Sequence, residues 1–108
     1  MLLNQIISKM LKSTAILNTG ISKTIVSTLK NHGIKKAGIF GSYVRGVQRK
    51  GSDIDILIQP AKDMSLLDFI HVKHELENKL KMKVDLVSYR GIHPLLKKQI
   101  MKEEVKII

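Results

Sequence analysis

The sequence predicts a mixed α/β (α+β) domain, a small mixed β-sheet covered by helices. Three short aliphatic segments of strand length, at 36–40, 53–58 and 83–88, alternate with stretches of helical period. The length of 108 residues is enough for one packed core and too short for a second lobe. A large substrate must therefore be gripped from outside.

The elements follow in order. Leu2, Leu3, Ile6, Ile7, Met10 and Leu11 place an apolar pair every four residues, which fits one stripe of a helix, and Ser13, Thr14, Asn18, Thr19 and Gly20 interrupt it. Ser22 is a suitable cap for a second helix with Ile25, Val26 and Leu29 on one side, stopped at His32-Gly33. A strand at 36–40 leads to the turn Gly41-Ser42, a brief helical turn at 43–46 and a polar loop at 48–52. The second strand, 53–58, ends before Pro60. Ser65 and Asp68 have capping-box spacing, and Leu66, Leu67, Ile70 and Leu76 keep the helical period after them. Glu75 with Lys79, and Glu77 with Lys81, are favourable pairs one turn apart. The third strand, 83–88, puts Val84 and Leu86 on one face and Asp85 and Val87 on the other, and Gly91 breaks it. Pro94 suits the first turn of a closing helix with Leu95, Leu96, Ile100 and Met101 inward, followed by a short extended tail at 105–108. No repeat, low-complexity segment or linker divides the chain.

Composition narrows the class. Apolar residues make up 44% of the chain, yet no apolar run reaches the roughly 18 to 20 residues that span a bilayer, so a soluble, cytoplasmic protein without membrane contact is expected. There is no cysteine, which excludes disulfides and thiolate-bound zinc. The start lacks the features of a secretory signal. The net charge of +10 is uneven: no acid precedes Asp53, whereas Lys9, Lys12, Lys23, Lys30, Lys35, Lys36, Arg45, Arg49 and Lys50 do. That half attracts polyanions or an acidic partner, although a lysine-rich surface with few aromatics is a weak nucleic-acid signal.

Chemistry concentrates where Gly41-Ser42 is followed, after ten residues, by Asp53-Ile54-Asp55. Along a strand Asp53 and Asp55 share one face while Ile54, Ile56 and Ile58 take the other. Two carboxylates side by side repel, and a divalent cation relieves the repulsion. If the third strand lies alongside, Asp85 joins them. Gly41 lets backbone approach an anion closely, Ser42 offers a hydroxyl, free N–H groups open the next helical turn, and the Arg45 guanidinium is one turn on. Phosphates beside two metal ions roughly 3.5 to 4 Å apart support in-line displacement with pyrophosphate leaving.

At Gly41, Ser42, Asp53, Asp55 and Asp85 the chain resembles the DNA polymerase beta-like nucleotidyltransferase superfamily, and within it the minimal nucleotidyltransferases that act as MntA-type antitoxins. The resemblance runs from about Ile21 to the C-terminus and is specific, because residue type, spacing and flanking strands agree together. It implies a nucleotidyltransferase fold at 21–108; residues 1–20 are longer than the family core needs and read as an N-terminal helical extension, with an oligomer contact or a disordered arm as the alternatives. It further implies Mg²⁺, as two ions, on Asp53, Asp55 and Asp85, and ATP phosphates on Gly41, Ser42 and Arg45. The implied reaction moves AMP to a tyrosine hydroxyl of a HEPN-type ribonuclease toxin, with Asp85 assisting deprotonation. Bulk and negative charge added there silence the toxin.

Each residue also has a plainer reading. Asp53, Asp55 and Asp85 could be solvent-facing strand acids, Gly41 a turn glycine and Arg45 a partner in a structural ion pair. His71 and His74 have metal-ligand spacing but read as a solvated helix face, and His32 and His93 read as a helix stop and a helix start. Two other functions stay open: an antitoxin that acts by sequestration alone, and nucleotidyl transfer to RNA or a small molecule.

Overall fold

The structure, a computed structural model, describes residues 20–45 and 53–108. The elements are α1 (Gly20–Asn31), β1 (Ala37–Phe40), α2 (Ser42–Arg45), β2 (Ile54–Ile58), α3 (Leu66–Leu80), β3 (Val84–Ser88), a 3₁₀ turn (Tyr89–Gly91), α4 (Pro94–Glu103) and β4 (Val105–Lys106). The sheet order is β3-β2-β1-β4. β1 runs antiparallel to both β2 and β4, and β2 runs parallel to β3. A parallel pair needs a crossover, and α3 supplies it. The mixed sheet expected from sequence is present, with β4 as the extended tail. The expected helix within residues 1–20 and the loop at 48–52 lie outside the described residues.

Strand alternation sorts the sheet into two unlike faces. Ala37 pairs with Ile58, Ile39 with Ile56, Ile54 with Val84, and Ile56 with Leu86. These side chains meet Ile25 and Leu29 of α1 and Val72 and Leu76 of α3 in the main core. Ile25, Leu29, Ile39, Ile54, Ile56, Ile58, Val72 and Leu76 are fully buried, each worth roughly 1.5–3 kcal/mol of hydrophobic stabilisation. The opposite face carries a smaller apolar pad of Phe40, Leu57 and Ile92, flanked by Val87, Tyr89 and Ile100. It also carries Asp55 and Asp85, which are register partners.

α1 begins two residues before the expected cap, and Ser22 is a buried residue inside it. Ser22 and Ile25 are three apart, so the helix directs both inward. α3 opens with the expected capping box: the Asp68 N–H donates to Ser65 Oγ at 3.1 Å and the Ser65 N–H donates to Asp68 Oδ2 at 3.0 Å. Lys81, in the left-handed conformation, ends the helix with its N–H on the Glu77 carbonyl. The expected pairs along α3 are replaced by longer-range bonds. Glu75 accepts from His32 at 2.9 Å, Lys79 donates to Thr28 Oγ1 at 3.2 Å, and Glu77 Oε2 accepts the Val84 N–H at 3.0 Å. Bonds that tie α3 to its neighbours replace ones that would only reinforce its own surface.

Two apolar stripes do not point as expected. Leu66 and Leu67 are largely exposed, as are Leu95 and Leu96, and Met101 is partly so. α3 reaches the core through Val72 and Leu76, and α4 contributes only the half-buried Ile100 to the smaller pad. Periodicity identifies a stripe but not whether a neighbour covers it. α4 is otherwise formed as its sequence suggests, with Pro94 in the first turn and His93 Nδ1 accepting the Leu95 N–H at 3.1 Å. Among the described residues no helix is long and apolar enough to cross a membrane.

Candidate active site

β1 ends at Phe40, which stands opposite Asp55 in the ladder, and Asp55 in turn stands opposite Asp85. The three form one row across the open face. Neighbouring strands lie about 4.8 Å apart, so the Asp55 and Asp85 backbones have that separation and their side chains project to the same side. Asp85 is exposed and Asp55 half-buried. Asp53 is exposed and directly precedes β2, two residues from Asp55. The Ile54 N–H donates to the Lys83 carbonyl at 3.0 Å, which carries the pairing to the very start of both strands.

Gly41 turns the chain with φ +76°, in the left-handed region that favours glycine. A side chain there would meet the Asp55 carboxylate, so its α-carbon lies directly against that acid. The glycine therefore has two causes: the bend needs its backbone freedom, and Asp55 occupies the space of its missing side chain. The Val44 N–H then donates to the Gly41 carbonyl at 3.1 Å and opens α2. Val44 is buried and Tyr43 half-buried against the main core, which anchors the turn. Burial also raises the Tyr43 pKa above the ordinary tyrosine value. The backbone of Ser42 and Arg45 is helical, and their side chains lie outside the described part of the chain.

The fold thus brings Gly41, Asp55 and Asp85 together and leaves Asp53 beside them in the chain. Among the described residues no three acidic or imidazole side chains are already gathered as a finished ion cage. The donor set is nevertheless all hard carboxylate oxygen, the chemistry that Mg²⁺ takes. His71 and His74 are exposed on α3, and His32 pairs with Glu75.

Three further residues position the site or the face that bears it, and sequence reasoning missed their roles. Glu77 clamps the first residue of β3 and so holds the strand that bears Asp85. Buried Glu104 accepts a hydrogen bond from the Tyr89 hydroxyl and fills the space beside Gly38 on the same face. Burial, followed by that bond to Glu104, raises the Tyr89 pKa well above the ordinary tyrosine value. No spacing rule links Tyr89 to Glu104 or Glu77 to Val84, because each contact exists only after the strands have paired.

Comparison with known proteins agrees with this geometry. The polymerase beta nucleotidyltransferase family matches residues 23–108. A Methanocaldococcus jannaschii protein, assigned by name to the protein adenylyltransferases, is 47% identical over 82% of this chain and 95% of its own. Protein adenylyltransferase MntA of Thermococcus cleftensis is 39% identical over 69% of this chain and 76% of its own. A crystal structure of a toxin–antitoxin with AMP-PNP superposes with TM-score 0.71 at 26% identity, covering 81% of this chain and 72% of that one. By the family match over residues 23–108 and by these relatives, the chain belongs to the polymerase beta nucleotidyltransferases, in the branch of the MntA-type protein adenylyltransferases.

Proposed function

We propose that this chain is a Mg²⁺-dependent protein adenylyltransferase that moves AMP from ATP to a tyrosine hydroxyl of a HEPN-type ribonuclease toxin and so acts as its antitoxin. The carrying observation is the pairing of Asp55 with Asp85 in register, with Gly41 packed against Asp55. The similarity to a protein adenylyltransferase and to a toxin–antitoxin that binds an ATP analogue supports the reaction and the partner. Residues 21–108 form the catalytic domain in this reading, and 1–20 an extension.

Asp53, Asp55 and Asp85 would hold the Mg²⁺, as two ions. Bound there, Mg²⁺ supplies charge neutralisation on the phosphates and a lower pKa for the attacking hydroxyl. Gly41 brings bare backbone to the phosphate chain, and the N–H groups at the start of α2 favour the same anion. Ser42 and Arg45 are assigned to the phosphates from the motif. The tyrosine oxygen bonds to the α-phosphorus, the bond from that phosphorus to the bridging oxygen breaks, and pyrophosphate leaves. Asp85 takes the tyrosine proton. Incubation with labelled ATP, Mg²⁺ and the toxin should label the toxin, and the Asp53→Asn/Asp55→Asn variant should not. Undiminished labelling by that variant would falsify the site.

One observation favours a second reading, inhibition by contact. Leu66, Leu67, Leu95 and Leu96 are large apolar side chains left in solvent, as at a partner surface. Full protection of cells by the Asp53→Asn/Asp55→Asn variant, co-expressed with the toxin, would favour contact over chemistry.

A further inference from the structure

The β2–β3 pair has a second end. Beyond Ile58 and Ser88, the last register partners, the chain leaves the sheet through Gln59 on one strand and Tyr89 on the other. Two overlapping hollows of about 500 and 480 Å³ lie there and share Lys36, Gln59, Pro60, Ala61 and Lys62. Arg90 lines the first and Lys35 the second, and no carboxylate lines either. A neighbouring hollow that shares Ala61 with these two is lined by Asp63 and Asp68 together with His32 and His71. Among the described residues none of these four cations is in an ion pair.

The cations are held by different means. The Lys36 ammonium lies 4.6 Å from the centre of the Tyr89 ring, a cation–π contact. That ring is fixed in turn by its hydroxyl bond to Glu104. Arg90 follows in the 3₁₀ turn, where its N–H donates to Ser88 Oγ at 3.3 Å. Lys35 and Lys62 are exposed. Four cations outside any ion pair, spread over two overlapping hollows beside the Tyr89 ring, one face of which Lys36 covers, match a chain of phosphates better than a single phosphate.

We propose that the groove lined by Lys35, Lys36, Lys62, Arg90 and Tyr89 binds a short segment of single-stranded nucleic acid. It is separate from the acidic site: three residues along β2 and β3, about 10 Å, divide them. The ligand is recognised by its phosphates, so sequence preference is weak and salt dependence strong.

Anisotropy of a labelled short oligouridylate, titrated with the full chain at several salt concentrations, tests this. Lys36→Glu/Lys62→Glu/Arg90→Glu should weaken binding at least about tenfold and flatten the salt slope by about 2, near 0.7 for each phosphate no longer neutralised. Lys23→Glu/Lys97→Glu/Lys98→Glu changes net charge equally at exposed residues that line neither hollow, and should retain most of the affinity. Lys62→Gln/Arg90→Gln, which leaves the Lys36–Tyr89 contact intact, should show a smaller loss of the same kind and serves if the triple variant does not fold. Equal losses in the two triple variants would reduce the effect to net charge and overturn the proposal. So would no binding at low salt, or displacement of the oligonucleotide by inorganic triphosphate or a polyglutamate peptide at the oligonucleotide's own affinity.

Discussion

At one end of the β2–β3 pair Asp55 stands beside Asp85 with Gly41 against it, and about 10 Å away the same two strands run out into a groove lined by cations. The acidic end is built from residues close in sequence, Gly41 to Asp55, plus one residue a strand away. The basic end gathers Lys36, Lys62 and Arg90 from three separate connections. A local motif makes the first visible in the bare chain. The second appears only when the sheet has assembled. Behind both lies the closed face, where fully buried aliphatic side chains on α1, α3 and the strands hold the two ends in register.

The division of labour between the closed face and the open face can be broken at several points. Leu76→Ala opens a cavity in the closed face and should cost about 2–5 kcal/mol of stability, measured by urea unfolding. AMP transfer by the folded fraction should stay near the parent rate. Gly41→Ala is the complementary lesion: it forces a side chain into the left-handed bend and onto the Asp55 carboxylate. Displacing the reacting groups in this way should lower the transfer rate roughly a hundredfold, read in a single-turnover assay.

Tyr89→Phe acts at the basic end. It removes the donor from buried Glu104 and should cost about 1–3 kcal/mol of stability. The phenol has a raised pKa when folded, so its contribution is present below the ordinary tyrosine value and fades as pH rises toward the raised one. Denaturant midpoints across alkaline pH should therefore slope less in the variant. The smallest effect is expected at the start of α3. The Ser65 backbone N–H and then its hydroxyl lower the Asp68 pKa. That contribution is present above the ordinary carboxylate value and is lost as pH falls through the lowered one. Asp68→Asn should flatten the acid limb of the stability profile slightly, and an unchanged limb would show that the capping bond adds nothing measurable.

Much of the fold was legible in residue pattern. Alternation in Ile54, Ile56 and Ile58 identifies the closed face, Ser65 with Asp68 gives the start of α3, and Pro94 the start of α4, because each rule acts over a few residues. What was not legible depends on neighbours distant in sequence. Leu66 and Leu95 look as inward as Leu76 by period, yet no element among the described residues covers them, and Glu77 leaves Lys81 for the Val84 backbone once β3 has docked. For the candidate site, spacing pointed to Gly41, Ser42, Asp53 and Asp55, and Asp85 joined them on condition that the third strand lay alongside, which β3 does. The contact of Gly41 with Asp55 could not be read there, since it is fixed by the register of β1 on β2.

A double-mutant cycle with Asp55→Asn and Asp85→Asn, followed by calorimetric titration of AMP-PNP in the presence and absence of Mg²⁺, asks whether the two strands share one ion. Each single variant should lose most of the Mg²⁺-dependent affinity, and the double variant should lose little more, because either acid alone leaves the shared ion incompletely held. Additive losses, or Mg²⁺-dependent binding at parent strength in either variant, would contradict a common site.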